Sequence, residues 1–258
     1  MDAKTYAEEY LEFMEIVHRN RHVLNVSTIT LICDLNVDNV NIQQFCQRFD
    51  EPNIDMKHIP HGFDKKRTGG RVRKSFYNQV TLNYKDISKK SMKIFSNGKL
   101  QITGLTSYFE CEKLADYTIR VLHKTLDDST ISIRRSYIGM INCNFSTGTN
   151  LDLYKFNQLL NRHARVMSIY SPESYPAINM KYRNGEVTTS VFIFGTGNIV
   201  ITGGKCLLDM KETYEFVHKE IVRNYDTVSK NTEHIKKPAR VEEHVHGYSV
   251  RQYMSCVY

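Results

Sequence analysis

Two similar stretches of sequence decide the fold: IFSNGKLQITG at residues 94–104 and IFGTGNIVITG at residues 193–203. They lie 99 residues apart and six of their eleven positions are identical, which indicates an internal repeat. Each stretch follows a β-prone run, turns at a glycine, Gly98 or Gly197, and returns as an alternating strand that ends in Thr-Gly. Each is therefore predicted to be a β-hairpin.

The sequence around the hairpins repeats as well. A helical pattern with one apolar face follows each hairpin, at residues 107–125 and 208–225. Further β-prone runs and one shorter apolar helix precede each hairpin, so the unit reads strand, short helix, several strands, long helix. This order predicts the α+β class. Two such units side by side would join their antiparallel sheets into one, with helices on one face and the other face open to a partner.

The repeat divides the chain into four parts. They are a helical N-terminal extension at residues 1–22, a first repeat at 23–126 with a basic insertion near 61–76, a second repeat at 127–226, and a C-terminal extension at 227–258.

Composition and charge narrow the class of function. Hydrophobic residues at 41% and aromatic residues at 11% predict a folded chain with a real core. A net charge of +7 favours acidic partners such as nucleic acid. No apolar run approaches the roughly 20 residues of a membrane-spanning helix, so we expect no membrane partner. The six cysteines form no CxxC pair, which predicts reduced thiols inside a cell.

The two repeats resemble those of the TATA-box-binding protein family over roughly residues 24–225. In the first repeat, STITLICDLN at residues 27–36 is similar to the first strand of the family, and SMKIFSNGKLQITG at 91–104 to the strand-turn-strand that follows. In the second repeat, SPESYPAINM at 171–180 and SVFIFGTGNIVITGGK at 190–205 resemble a passage containing Pro-Glu and Phe-Pro and the next hairpin.

The resemblance implies a saddle. Its curved antiparallel sheet of ten strands would sit in the DNA minor groove, with the helices on the convex face, and two aromatic wedges per repeat would open base steps and bend the duplex. Phe95 and Phe194 match the second wedge of each repeat, and Tyr175 matches the first wedge of repeat two. For repeat one, strand periodicity favours Tyr77 and the spacing to the hairpin favours Phe76. The alternative is that these rings are ordinary core aromatics.

Other positions match groove-facing residues of the family. Thr103 and Thr202 correspond to the threonine that reaches base acceptors near the centre of the site. The remaining matches are Val26, Thr28, Ile138, Val200 and Gln101, of which Gln101 departs from the apolar residue that the family prefers. An alternative reading of the threonines is that they are simply good β-formers at strand ends.

Other departures affect specificity. The family begins each repeat with an asparagine that hydrogen-bonds at the central base step, but here the aligned residues are Leu24 and Ser136, with Asn25 one place away. Tyr175 also adds a hydroxyl group to its wedge position. We therefore expect a weaker preference for A·T pairs than in the cellular protein.

Two further surfaces are candidates for binding. Glu173 aligns with an acidic residue that the family uses to contact transcription factor IIB. The basic insertion HGFDKKRTGGRVRKSF at residues 61–76 predicts either added phosphate contacts or a solvated loop. The residues of the insertion to test are Arg67, Arg71, Arg73 and Lys74.

The function implied is that of a transcription initiation factor. It would bind the minor groove of A·T-rich promoter DNA, bend it and recruit RNA polymerase machinery. The diverged chain, with its basic insertion and extra ends, resembles the family members that large cytoplasmic DNA viruses encode, which implies action in the host cytoplasm, in the virion or in the nucleus. The alternative is a protein-interaction module that has lost DNA binding. No nucleophile or ligand pattern predicts an enzyme, a metal or a cofactor, since His244 and His246 alone rarely form a metal site.

Overall fold

The structure is a computed structural model and describes residues 24–58, 78–85 and 90–230. Ten strands form one antiparallel sheet in the order β2-β3-β4-β5-β1-β6-β10-β9-β8-β7. The strands are β1 Asn25–Leu35, β2 Ile54–His58, β3 Gln79–Tyr84, β4 Lys90–Phe95, β5 Lys99–Leu105, β6 Ile133–Ser146, β7 Val166–Ile169, β8 Ala177–Asn184, β9 Val187–Phe194 and β10 Asn198–Gly204. The helices are α1 Ile42–Arg48, α2 Tyr108–Leu126, α3 Leu153–Leu160, α4 Leu207–Arg223 and α5 Tyr225–Val228.

The five strands of each repeat follow the same spatial order from the centre of the sheet to its edge. β1 and β6 pair at the centre, the hairpins β4-β5 and β9-β10 flank them, and β2 and β7 lie at the edges. The first half is defined here as β1–β5 with α1 and α2, and the second half as β6–β10 with α3–α5. Both predicted hairpins are present and have the same register, with Ile94 opposite Leu100 and Ile193 opposite Ile199.

The hydrophobic core lies between one face of this sheet and the helices. Residues of β4 alternate between fully buried and half-buried side chains, and β9 shows the same alternation over its last residues. The buried set packs under the helices: the ring of Tyr214 on α4 lies 4.8 Å from that of Phe145, and Phe216 stacks on Tyr182 at 4.5 Å. The α+β class with helices on one face is therefore confirmed.

Each long helix begins directly after a Thr-Gly strand end, and a carboxylate fixes the start. Glu110 accepts hydrogen bonds from the backbone N–H of Thr106 at 2.7 Å and from its hydroxyl at 3.0 Å. Asp209 accepts from the backbone N–H of Lys205 at 2.6 Å and of Cys206 at 3.0 Å. Both carboxylates satisfy backbone donors that a helix start leaves free and favour the positive end of the helix dipole.

Several sequence predictions lie outside the described residues. These are the N-terminal helix, the basic insertion, and the part of the C-terminal extension beyond residue 230. Among the residues that the structure does describe, no helix is long and apolar enough to cross a membrane.

Candidate nucleic-acid interface

Two rigid turns position Phe95 and Phe194 at the ends of β4 and β9. The backbone N–H of Gly98 donates to the Phe95 carbonyl at 3.2 Å, and that of Gly197 to the Phe194 carbonyl at 2.9 Å. Both glycines have positive φ angles, 74° and 81°. An added Cβ would collide with a backbone carbonyl oxygen, that of Val37 or of Thr149. Only glycine fits these turns, because the loop that follows the central strand passes directly over each one.

The ends of the central strands also hold the turns by hydrogen bonds. The N–H of Leu35, the last residue of β1, donates to the Gly98 carbonyl at 2.8 Å, and the N–H of Thr147, directly after β6, donates to the Gly197 carbonyl at 2.9 Å. Backbone hydrogen bonds therefore fix the turn that follows each phenylalanine.

Both phenylalanine side chains lie on the sheet face that the helices leave open. Their neighbours Ile94 and Ile193 are 0% exposed in the core, whereas Phe95 and Phe194 are only half-buried on the opposite side. Tyr175 is 46% exposed, and the centre of its ring lies 6.2 Å from that of Phe194. The structure therefore brings Tyr175 and Phe194 together at one end of the open face. Tyr77 and Phe76 lie outside the described residues.

Four of the predicted groove-facing residues share this open face. Gln101 and Thr103 on β5, and Val200 and Thr202 on β10, are half-buried and alternate with fully buried residues. The Thr103 hydroxyl donates weakly to the Ser91 carbonyl at 3.4 Å. Thr28 on β1 accepts a hydrogen bond from the N–H of Gly104 at 3.2 Å. Thr28 thus joins the open face near the centre of the sheet.

Val26 and Ile138 were expected on the open face, and this placement is wrong. Ile138 is 5% exposed and lies opposite the buried Leu31, while Val26 lies opposite the buried Cys143 and packs against the core. The register between β1 and β6 shifts next to each of them. Such a β-bulge inserts one residue and moves the neighbouring side chains to the other face.

Asparagine side chains occupy the centre of the open face instead. Asn25 lies opposite Asn144, and Asn142 lies between Thr28 and Thr202 on the neighbouring strands. The Asn142 Oδ1 atom is buried without a hydrogen-bond partner in the described part of the chain. Asn142 and Asn144 were not among the predicted site residues, although they alternate around the buried Cys143 and so indicate one polar side of β6.

Phe192 and Lys93 are two further open-face residues that the sequence analysis missed. Phe192 is half-buried on β9, and its ring lies 5.9 Å from that of Tyr175. Lys93 occupies the equivalent position on β4, 99 residues earlier. The signal was present, because each residue precedes a wedge phenylalanine by two positions and adjacent strand positions alternate between faces.

Glu173 lies in the loop between β7 and β8, on the approach to Tyr175. Its side chain is exposed and accepts a hydrogen bond from the Ser171 hydroxyl at 3.2 Å. The backbone N–H of Tyr175 donates to the Ser171 carbonyl at 2.9 Å, which closes the loop. Arg67, Arg71, Arg73 and Lys74 lie outside the described residues.

The described residues contain no group of three or more His, Cys, Asp or Glu side chains suited to a metal ion. Burial raises the pKa of the Cys33, Cys111 and Cys143 thiols to about 12, so these thiols are neutral at ordinary pH and poor nucleophiles. What the open face offers is aromatic surface, hydroxyl groups, amides and the ammonium groups of lysines such as Lys57 and Lys93.

Comparisons with known proteins agree with this geometry. A family model for "Transcription factor TFIID (or TATA-binding protein, TBP)" matches residues 137–224. A TATA-box-binding protein-like protein of Acanthamoeba polyphaga mimivirus is 28% identical over 264 residues, covering 87% of this chain and 71% of that protein. The TATA-box-binding protein of Thermococcus celer is 28% identical over 152 residues, covering 57% of this chain and 74% of the relative.

A solved structure, Methanococcus jannaschii TBP, matches with a TM-score of 0.55 at 20% identity, covering 78% of this chain and 98% of the other. At this identity the match shows the fold. The open sheet with helices on one side is thus the saddle of TATA-box-binding proteins. These matches support a diverged protein that resembles TATA-box-binding proteins and is similar to the one that mimivirus encodes.

Proposed function

We propose that this chain binds the minor groove of A·T-rich duplex DNA with its open face and bends the duplex. The observation that carries the proposal is the placement of Phe95 and Phe194, which are held by rigid glycine turns on a face that the helices leave uncovered. Large apolar rings at fixed positions are suited to replace the stacking of an opened base step. Tyr175 adds a third ring beside Phe194.

The centre of the open face suits the minor groove rather than the major groove. A·T pairs present only hydrogen-bond acceptors in the minor groove. The threonine hydroxyls and asparagine amides at the centre of the sheet supply donors for such acceptors. The flanking apolar residues gain when water leaves the groove and the duplex bends around the sheet.

The proposal extends to the role of the chain in transcription. The bent complex would recruit RNA polymerase machinery, and the exposed Glu173 would bind a transcription factor IIB-like protein. The basic insertion would add phosphate contacts. The place of action is the host cytoplasm, the virion or the nucleus, and the chain performs no catalysis.

Lys93 and Gln101 favour one alternative, a protein-interaction module that has lost DNA binding. They place an ammonium group and an amide in the middle of the open face, where an apolar surface is expected for the minor groove. A module of this kind would bind no duplex DNA at all, which separates the two functions experimentally.

Inosine provides the test, because an inosine·cytosine pair has the minor groove of an A·T pair and the major groove of a G·C pair. Affinity is measured by fluorescence anisotropy for three duplexes that differ only in having A·T, I·C or G·C pairs in the site. The proposal predicts similar affinities for A·T and I·C and weaker binding of G·C. If I·C behaves as G·C does, the major groove is read, and if no duplex binds, the interaction module is correct.

A further inference from the structure

The two halves of the open face differ chemically at equivalent positions. One row of neighbouring side chains crosses the outer strands of each half. In the first half the row is Lys57, Thr81, Lys93 and Gln101, and in the second half it is Ile169, Asn179, Phe192 and Val200. Three of the four positions therefore exchange a charged or amide side chain for an apolar one.

Lys93 and Gln101 form the inner end of the polar row. They lie directly opposite each other on β4 and β5, and both are half-buried. Among the described residues, neither the Lys93 ammonium group nor the Gln101 amide has a side-chain hydrogen bond or ion pair. Covering these groups with an apolar surface would cost free energy, since a buried polar group needs a partner. The first half therefore needs a ligand that brings polar atoms.

Val200 and Phe192, at the equivalent positions of the second half, instead favour a ligand surface without unpaired polar atoms. They lie opposite each other on β10 and β9, and Phe192 also contacts the ring of Tyr175. Ile169, 64% exposed on the edge strand, is a separate apolar side chain beyond Asn179. A donor or acceptor pressed against Val200 and Phe192 would lose its water without gaining a protein partner.

The minor groove offers one group that distinguishes the two rows. A guanine adds an exocyclic amino donor at the floor of the groove, which A·T pairs lack. The Gln101 amide has a carbonyl oxygen to accept from that amino group and an NH₂ to donate to neighbouring base acceptors. The ammonium group of Lys93 donates to the same acceptors, whereas Val200 and Phe192 offer no acceptor to a guanine.

We propose that Gln101, supported by Lys93, allows the first half of the open face to accept a G·C pair, while the second half requires A·T pairs. The preferred DNA site is therefore chemically asymmetric. This inference rests on the proposed minor-groove binding.

The experiment uses the full chain and three short duplexes. One has A·T pairs in both half-sites, one has a G·C pair in a single half-site, and one has a G·C pair in each half-site. The ratio of affinities between duplexes is compared for the wild type, Gln101→Val and Val200→Gln. Gln47→Val, the same substitution on the exposed face of α1, is the matched control, and thermal melting confirms that every variant folds.

The wild type should bind the duplex with one G·C half-site within about threefold of the A·T duplex, and the duplex with two G·C half-sites about tenfold more weakly, the usual cost of one unfavourable pair. Gln101→Val should extend the tenfold loss to the duplex with a single G·C half-site. Val200→Gln should restore binding of the duplex with two, and replacing guanine by inosine should abolish all these differences.

The inference and the proposed function fail in different ways. If the wild type loses as much affinity with one G·C half-site as with two, or if Gln101→Val leaves the ratios as Gln47→Val does, the asymmetry is wrong although DNA binding stands. If the A·T duplex itself does not bind, the proposed function fails and the inference with it.

Discussion

Replacing Phe194 by alanine should impair DNA bending far more than it impairs folding. The ring is half-buried on the open face, and among described residues its aromatic neighbour is Tyr175 at 6.2 Å. Because the ring lies outside the packed core, we expect Phe194→Ala to lower the free energy of unfolding by only about 1 kcal/mol. Loss of the inserted ring should cost about 1–3 kcal/mol of binding, the usual value for one base stacked on an aromatic side chain, which is roughly 5- to 150-fold in affinity.

The adjacent residue provides the matched control. Ile193 is 0% exposed in the core under the helices, so Ile193→Ala should lower the free energy of unfolding by about 2–5 kcal/mol. At roughly 2–4 °C per kcal/mol for a chain of this size, the melting temperature should fall by about 10 °C. Below its melting temperature this variant should still bend DNA, because the open face keeps all its side chains.

The assay combines melting by circular dichroism with energy transfer between dyes at the two ends of a short A·T duplex. The pair Phe95→Ala and Ile94→Ala repeats the comparison in the first half, and the double variant Phe95→Ala/Phe194→Ala should show the largest loss of bending. If Phe194→Ala lowers the melting temperature as strongly as Ile193→Ala and leaves bending intact, the ring is a core residue and the wedge assignment is wrong.

Three further predictions concern other parts of the chain. Affinity should fall steeply as the salt concentration rises. Neutralising Arg67, Arg71, Arg73 and Lys74 of the basic insertion should flatten the dependence of log affinity on log salt by about one for each phosphate contact that is lost. An unchanged slope would show that the insertion does not touch DNA. Glu173→Arg should weaken binding of a transcription factor IIB-like protein to the DNA complex, and an equal loss of DNA binding would reject the separation of these two surfaces. Because burial raises the pKa of Cys33, Cys111 and Cys143 to about 12, while unfolded thiols ionise near about 8.5, the free energy of unfolding should decrease as pH rises from about 9 to 12. Urea titrations across that range test this against a variant with serine at the three positions, which should lose the thiol contribution to the decrease while the contribution of lysine and tyrosine side chains stays.

The hairpins could be predicted from the sequence because their signals are local. Strand alternation, a glycine turn and a Thr-Gly end occur within eleven residues in each copy. The glycines have the positive φ angles that such turns require, and Phe95 and Phe194 reach the open face as expected. Local patterns of this kind depend on few distant contacts, so they can be read directly from the chain.

The misplacement of Val26 and Ile138 has a non-local cause. Each lies next to a shift in the register between β1 and β6, two strands that are more than 100 residues apart at their pairing points near Val26. A bulge depends on how two strands pair, and nothing in either strand alone states where the extra residue falls. The same limit kept Asn142 and Asn144 from being recognised.

The asymmetry between the two halves is written in the sequence at the repeat offset. Lys93 and Phe192 stand 99 residues apart, at the same offset as the two hairpins, and so do Gln101 and Val200. Their significance depends on knowing that all four side chains lie on one uncovered face, which only the sheet pairing and the position of the helices show.

The central claim is that the open face bends duplex DNA, and the end-to-end energy transfer of the wild-type complex tests it most directly. A duplex of A·T pairs carries a donor dye at one end and an acceptor at the other, while anisotropy follows binding in the same titration. The predicted result is a rise in transfer efficiency that follows the binding curve and saturates with it. Binding that saturates without any change in transfer efficiency would contradict the claim.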